Sequence, residues 1–130
     1  MIVVDASALF EVLLLKGGAE AIEDRLFDPS ETLHAPHLLD VEIAHAIRRY
    51  ALAGEIDDER GREVLADLID FPIRRYPHRL LLAQAWAWRH NLTAYDAVYV
   101  ALAELLNATL LTRDQRLAVA AQSLARIELV

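Results

Sequence analysis

Four acidic side chains hold the chemical interest of this 130-residue chain: Asp5, Glu42, Asp96 and Asp114. Asp5 ends the β-branched run Ile2-Val3-Val4 and leads into Ala6-Ser7, while Asp114 ends Leu111-Thr112-Arg113-Asp114 after a second apolar run. Both positions read as strand-to-helix junctions, where parallel α/β sheets bind ligands beyond the carboxyl ends of their strands. Asp96 opens a segment, Ala97 to Ala103, that is apolar on every helical face and so reads as a buried helix. A carboxylate there is costly unless it is paired, hydrogen-bonded or bound to a cation. Glu42 falls in the second turn of a predicted helix, three residues after Leu39 and four before Ala46, at the border of the apolar face. Brought together, four such groups would suit a hard cation, Mg²⁺ or Mn²⁺, which takes oxygen ligands and keeps several waters. Without a cation they would repel one another and raise their own pKa values.

Each acid also has a purely structural explanation at this level. Asp5, Ser7 and Asp114 are favoured helix N-caps. Thr93-Ala94-Tyr95-Asp96 fits a capping box, and Glu42 could face solvent as most charged residues do.

The elements that must position these groups follow from periodicity and from Gly and Pro punctuation. Strands are predicted at residues 2–4, 33–35, 108–112 and 127–130, with an edge strand at 71–76 because Pro72 and Pro77 bracket it. Helices are predicted at 8–15, 19–27, 38–53, from Asp57 or Asp58 to 69, then 79–90, 94–106 and 115–122. Strands separated by helices throughout indicate an α/β protein, a three-layer α/β/α sandwich around a mainly parallel sheet, with residues 1–130 as one domain.

Composition narrows the function classes. The 55% hydrophobic content, with four Gly and four Pro, excludes a disordered or fibrous chain. The absence of cysteine excludes a disulfide framework, a thiolate zinc site and a thiol nucleophile, and fits a reducing, cytoplasmic setting. No signal peptide is expected at a start that carries Asp5, and no membrane span, because Glu104 and Asn107 interrupt the longest apolar stretch. The five histidines show no zinc spacing, and neither GxGxxG nor a P-loop occurs. The net charge of −7 argues against nucleic-acid binding through a general basic field, although twelve of the thirteen basic residues are Arg, which suits bidentate phosphate contacts. Trp86 and Trp88, two residues apart on one helix, cannot both face the same core, so one is expected at a dimer or partner surface.

The strand ending in Asp5-Ala6-Ser7-Ala8, Glu42 on the third helix, Tyr95-Asp96-Ala97-Val98-Tyr99-Val100-Ala101-Leu102-Ala103 and Leu111-Thr112-Arg113-Asp114, in this order, closely resemble the PIN-domain ribonucleases, in particular VapC-type toxins of toxin–antitoxin pairs. The resemblance spans the whole chain. It implies a metal-dependent endoribonuclease in which Asp5, Glu42, Asp96 and Asp114 form the acidic quartet and Asp5 and Asp96 bind Mg²⁺ or Mn²⁺. Ser7 and Thr112 match hydroxyl positions near the metal and, with Arg113, are the substrate-binding residues it implies; Arg113, with Arg116 one turn along, would contact RNA phosphates. It further implies a homodimer held inactive by a cognate antitoxin, whose tail enters the groove and often supplies an Arg. A PIN-like nuclease of RNA processing without an antitoxin, and a non-catalytic α/β module that binds a partner protein, are the alternatives.

Overall fold

The computed structural model describes residues 1–130. Its elements alternate as the apolar pattern requires: β1 (Ile2–Val4), α1 (Ala6–Leu13), α2 (Glu20–Leu26), β2 (Leu33–Pro36), α3 (Leu38–Leu52), α4 (Asp58–Asp70), β3 (Ile73–Tyr76), a 3₁₀ turn (His78–Leu80), α5 (Leu82–Ala87), α6 (Ala94–Leu106), β4 (Thr109–Thr112), α7 (Gln115–Ala121) and β5 (Arg126–Leu129). The five strands form one sheet in the order β3-β2-β1-β4-β5, and every pairing is parallel. Because parallel crossovers are right-handed, α1 to α4 cover one face and α5 to α7 the other, giving the three layers expected. No helix is long and apolar enough to cross a membrane.

Two features of this topology locate the site. The chain leaves β1 toward β2 on one side, and its later strands return to pair on the other, so the order reverses between β1 and β4. That reversal opens a crevice at the carboxyl ends of those two strands, where ligands of open α/β sheets bind. In register, Val4 lies beside Leu111, which sets Asp5 next to the end of β4. The second feature is α6, whose seven residues Ala97 to Ala103 are all buried. It packs against β1, β2 and β4 and carries Asp96 in its first turn.

Several boundaries differ from those the sequence predicts, for local reasons. Helix α1 starts at Ala6 because Asp5 C=O accepts from Ala8 N–H and Leu9 N–H, and it stops before Leu15, which adopts φ +53°. Pro72 stays outside β3, which lies at the sheet edge as its flanking prolines require. The helix expected at 79–90 is a 3₁₀ turn followed by the six-residue α5. Past Ala87 the chain turns through Trp88, whose carbonyl accepts from Asn91 and Leu92 N–H, so that Leu92 is buried. Trp88 packs partly buried against the core, whereas Trp86 is 69% exposed, so the pair divides between interior and surface.

The start of α6 depends on one hydroxyl: Thr93 Oγ1 accepts from Asp96 N–H at 3.1 Å. Replacement of an N-cap threonine by alanine costs about 1 kcal/mol. Thr93→Ala is expected to lower unfolding stability by that amount, read as a fall in the urea midpoint at constant slope. An unchanged midpoint would show that the burial of α6 fixes Asp96 without the cap.

Candidate active site

Asp5 is a carboxylate with only 7% exposure. It stands at the N-cap position of α1 but makes no side-chain cap bond. Its Oδ2 instead accepts two hydroxyl donors, Ser7 Oγ at 2.5 Å and Thr112 Oγ1 at 2.7 Å. Those hydroxyls are themselves acceptors: Ser7 Oγ takes Arg113 N–H and Thr112 Oγ1 takes Asp114 N–H, each at 3.0 Å. The loops after β1 and β4 are thereby tied together through one carboxylate oxygen, and Oδ1 has no donor within the protein.

Asp114 is a true cap. Its Oδ1 accepts from Arg116 N–H at 2.9 Å and Leu117 N–H at 3.1 Å at the start of α7. Glu42 is half-buried, and its Oε1 accepts from the hydroxyl of Tyr99 at 2.7 Å, which joins α3 to α6. All four acids line a single cavity of about 240 Å³ together with Ser7, Phe10 and Arg49. Arg49 is the only basic side chain on its wall.

The electrostatics record the crowding. Burial pushes the Glu42 carboxyl up; the Tyr99 hydrogen bond opposes this, and the charges of Asp5 and Asp96 add to it. Burial likewise pushes Asp96 up, with Asp114 the next cause, then the opposing Thr93 hydrogen bond, the charge of Asp5, and the opposing charge of Arg116. The Tyr99 phenol is driven far upward by burial and then by the charge of Glu42, so it is a permanent neutral donor.

Hard oxygen donors in a crevice, crowded enough to resist ionisation, suit a divalent cation. No three His, Asp or Glu side chains are placed to hold an ion by themselves. The donor set therefore fits an ion that takes one or two carboxylates and completes its shell with water, as Mg²⁺ does.

One expectation needs correction, and one residue is new. Thr112 is fully buried and cannot contact a substrate; its hydroxyl holds Asp5. The Ser7 hydroxyl gives its proton to Asp5 and accepts from Arg113 N–H, while Ser7 itself lines the cavity. Arg113 is exposed at the rim, with its guanidinium 3.6 Å from Glu11. Tyr99 was visible in the sequence only as one more apolar residue of a buried helix.

A carboxyl whose pKa is raised by folding favours the folded state fully below its unfolded value, and that contribution is lost as pH rises through the folded value. Asp96→Asn cannot ionise. It is therefore expected to gain stability over the wild type as pH rises from aspartate's ordinary 3.8 toward neutral in metal-free buffer. Mn²⁺ or Mg²⁺ should close the gap by stabilising only the charged site. Thermal melts across pH read this directly; a gap independent of pH would count against a carboxyl raised by burial and by its acidic neighbours.

Residues 2–122 match the family model described as PIN domain. Ribonuclease VapC1 of Mycobacterium tuberculosis is 45% identical over 129 residues, covering 98% of this chain and 96% of its own. Among solved structures, the fold is shared with VapC20 of Mycobacterium tuberculosis, a sarcin-ricin loop cleaving toxin, at TM-score 0.70 and 16% identity over 92% of this chain and 95% of that one. It is also shared with a toxin–antitoxin complex from Klebsiella pneumoniae, at TM-score 0.68 and 17% identity over 98% and 96% of the two chains. At those identities the two structures speak for the fold alone, and the full-length likeness to VapC1 carries the assignment. With four acids in one crevice of a five-stranded parallel sheet, the chain belongs to the PIN-domain family and, within it, to the VapC ribonucleases.

Proposed function

We propose that residues 1–130 act as one PIN-like unit that hydrolyses RNA phosphodiester bonds at the acidic crevice, as the toxin of a type II toxin–antitoxin pair. The observation that supports this best is the convergence of Asp5, Glu42, Asp96 and Asp114 on one cavity at the strand-order reversal. VapC-type PIN nucleases generally depend on a divalent metal. In this reading Asp5 and Asp96 hold Mg²⁺ or Mn²⁺, which supplies positive charge against the phosphodiester oxygens and acidifies water at the site.

The remaining roles belong to the chain's own groups. Asp5 offers Oδ1, since Oδ2 is engaged by Ser7 and Thr112, and this fixes the direction of the carboxylate. Glu42 and Asp114 each keep one oxygen outside their structural hydrogen bond and are suited to orient water or complete a second ion site. Arg49 on the cavity wall and Arg113 and Arg116 at its rim are placed for RNA phosphates. An acidic crevice also suits a partner's arginine, which is how a cognate antitoxin would block the site. Trp86, exposed beside α6, is the anchor for a homodimer or antitoxin surface.

Cleavage of RNA with Mg²⁺ or Mn²⁺, with and without EDTA, tests the enzyme. Asp5→Asn and Asp96→Asn should each lose at least about a hundredfold in rate, the upper end of what even supporting residues of metal sites cost. EDTA should abolish wild-type cleavage. Activity that survives EDTA, or equal rates in all three proteins, would sink the assignment.

Surface roles are tested separately. Trp86→Ala should weaken self-association in sedimentation equilibrium, or antitoxin affinity, by tenfold or more, at about the 1–2 kcal/mol scale of an anchor residue. Trp88→Ala should instead lower stability with little effect on either association. If Trp86→Ala leaves both associations intact, Trp86 is no anchor.

A further inference from the structure

Tyr99 lies one turn beyond Asp96 on α6 and is 1% exposed. Of the seven buried residues from Ala97 to Ala103, it alone carries a polar side-chain atom. A hydroxyl withdrawn from water is costly without a partner, so packing alone would be served better by phenylalanine. The partner is Glu42 Oε1 on α3, 2.7 Å away, and Tyr99 itself does not line the cavity. Glu42 Oε2 takes no donor from the protein, and Glu42 lines the cavity with Asp5 and Asp96.

We propose that Tyr99 is a positioning residue for the reaction, pinning one oxygen of Glu42 so that the other is aimed into the cavity shared with Asp5 and Asp96. The inference rests on the nuclease reading and adds a residue outside the acidic quartet. A glutamate has three rotatable bonds and leaves its geometry undefined unless something fixes it. Tyr99 is held on every side by the core, so a hydrogen bond from it transmits the rigidity of α6 to a carboxylate on another helix. At 2.7 Å the bond is short, and with Glu42 ionised it is of the strong, charge-assisted kind. Asp96 and Tyr99 are three residues apart and share one face of α6. One helix therefore presents one acid directly and orients a second through its phenol.

The test compares wild type, Tyr99→Phe, Glu42→Ala and the double variant, at a temperature where all give the wild-type pattern of amide resonances. Tyr99→Phe removes one hydroxyl and keeps the ring. It should lower kcat about tenfold, in the range for residues that orient metal-site groups, with KM for RNA unchanged within twofold. In the Glu42→Ala background the same change should have no further effect on kcat. In metal-free protein, the carboxyl carbon resonance of Glu42 should shift in Tyr99→Phe. Full kcat in Tyr99→Phe, an undiminished effect without Glu42, or an unmoved Glu42 resonance would each overturn the proposal while leaving the nuclease standing. A wild type no more active than Asp5→Asn would overturn the nuclease reading, and this proposal with it.

Discussion

One oxygen of Asp5 holds the site together. A carboxylate buried this deeply must be hydrogen-bonded or the fold carries its desolvation penalty, and Asp5 Oδ2 meets that demand with two hydroxyls from different parts of the chain. Ser7 comes from α1, two residues on, and Thr112 from the end of β4, 107 residues away. Each hydroxyl in turn accepts a backbone N–H of the β4–α7 loop. The consequence runs outward: the loop that delivers Asp114 is shaped by the group that fixes Asp5, so two of the four acids are positioned by one small network. Its side-chain members are short and largely buried, which leaves them few alternative rotamers.

Topology supplies the rest of the convergence. A parallel sheet with β1 at its centre places the carboxyl ends of β1 and β4 side by side, and the strand-order reversal keeps helices from closing over them. The net charge of −7 takes on a different meaning in this light. Four of the acids are drawn into one cavity, where burial and mutual repulsion raise the pKa of Glu42 and Asp96. The chain's acidity is thus partly a property of the crevice, and affinity for a polyanion there must come from a cation and from individually placed arginines such as Arg49 more than from a general field.

Local patterns made much of this legible. The run Ile2-Val3-Val4 ending in an acid, and the all-apolar helix opened by Asp96, are short-range signals, and both elements lie where the pattern put them. Long-range pairings were not legible. Spacing placed Tyr99 on a buried helix, but its hydroxyl is satisfied 57 residues away, across two layers, by Glu42. Thr112 matched a hydroxyl position near the metal, yet nothing in Leu111-Thr112-Arg113 reveals that it is wholly covered. The segment at 79–90 has helical residue types throughout, and the burial of Leu92, a tertiary event, turns it early.

Capping and catalysis are not competing explanations for these acids, because a carboxylate has two oxygens and a helix start has a positive end. Asp5 precedes α1, Asp96 sits in the first turn of α6 and Asp114 caps α7. Each is therefore close to the partial positive charge of a helix N-terminus, which favours an anion within the first turn. Three helix ends directed at one crevice offset part of the repulsion among three acids, so the fold tolerates the cluster before any cation binds. Glu42 alone lacks this support. It lies in the second turn of α3, beyond the reach of that terminus, and is the acid to which the protein supplies a buried phenol instead. The same electrostatic requirement is met in two ways: the acids at helix starts have a backbone dipole, joined at Asp5 by two hydroxyl donors, and Glu42 relies on a side-chain donor alone.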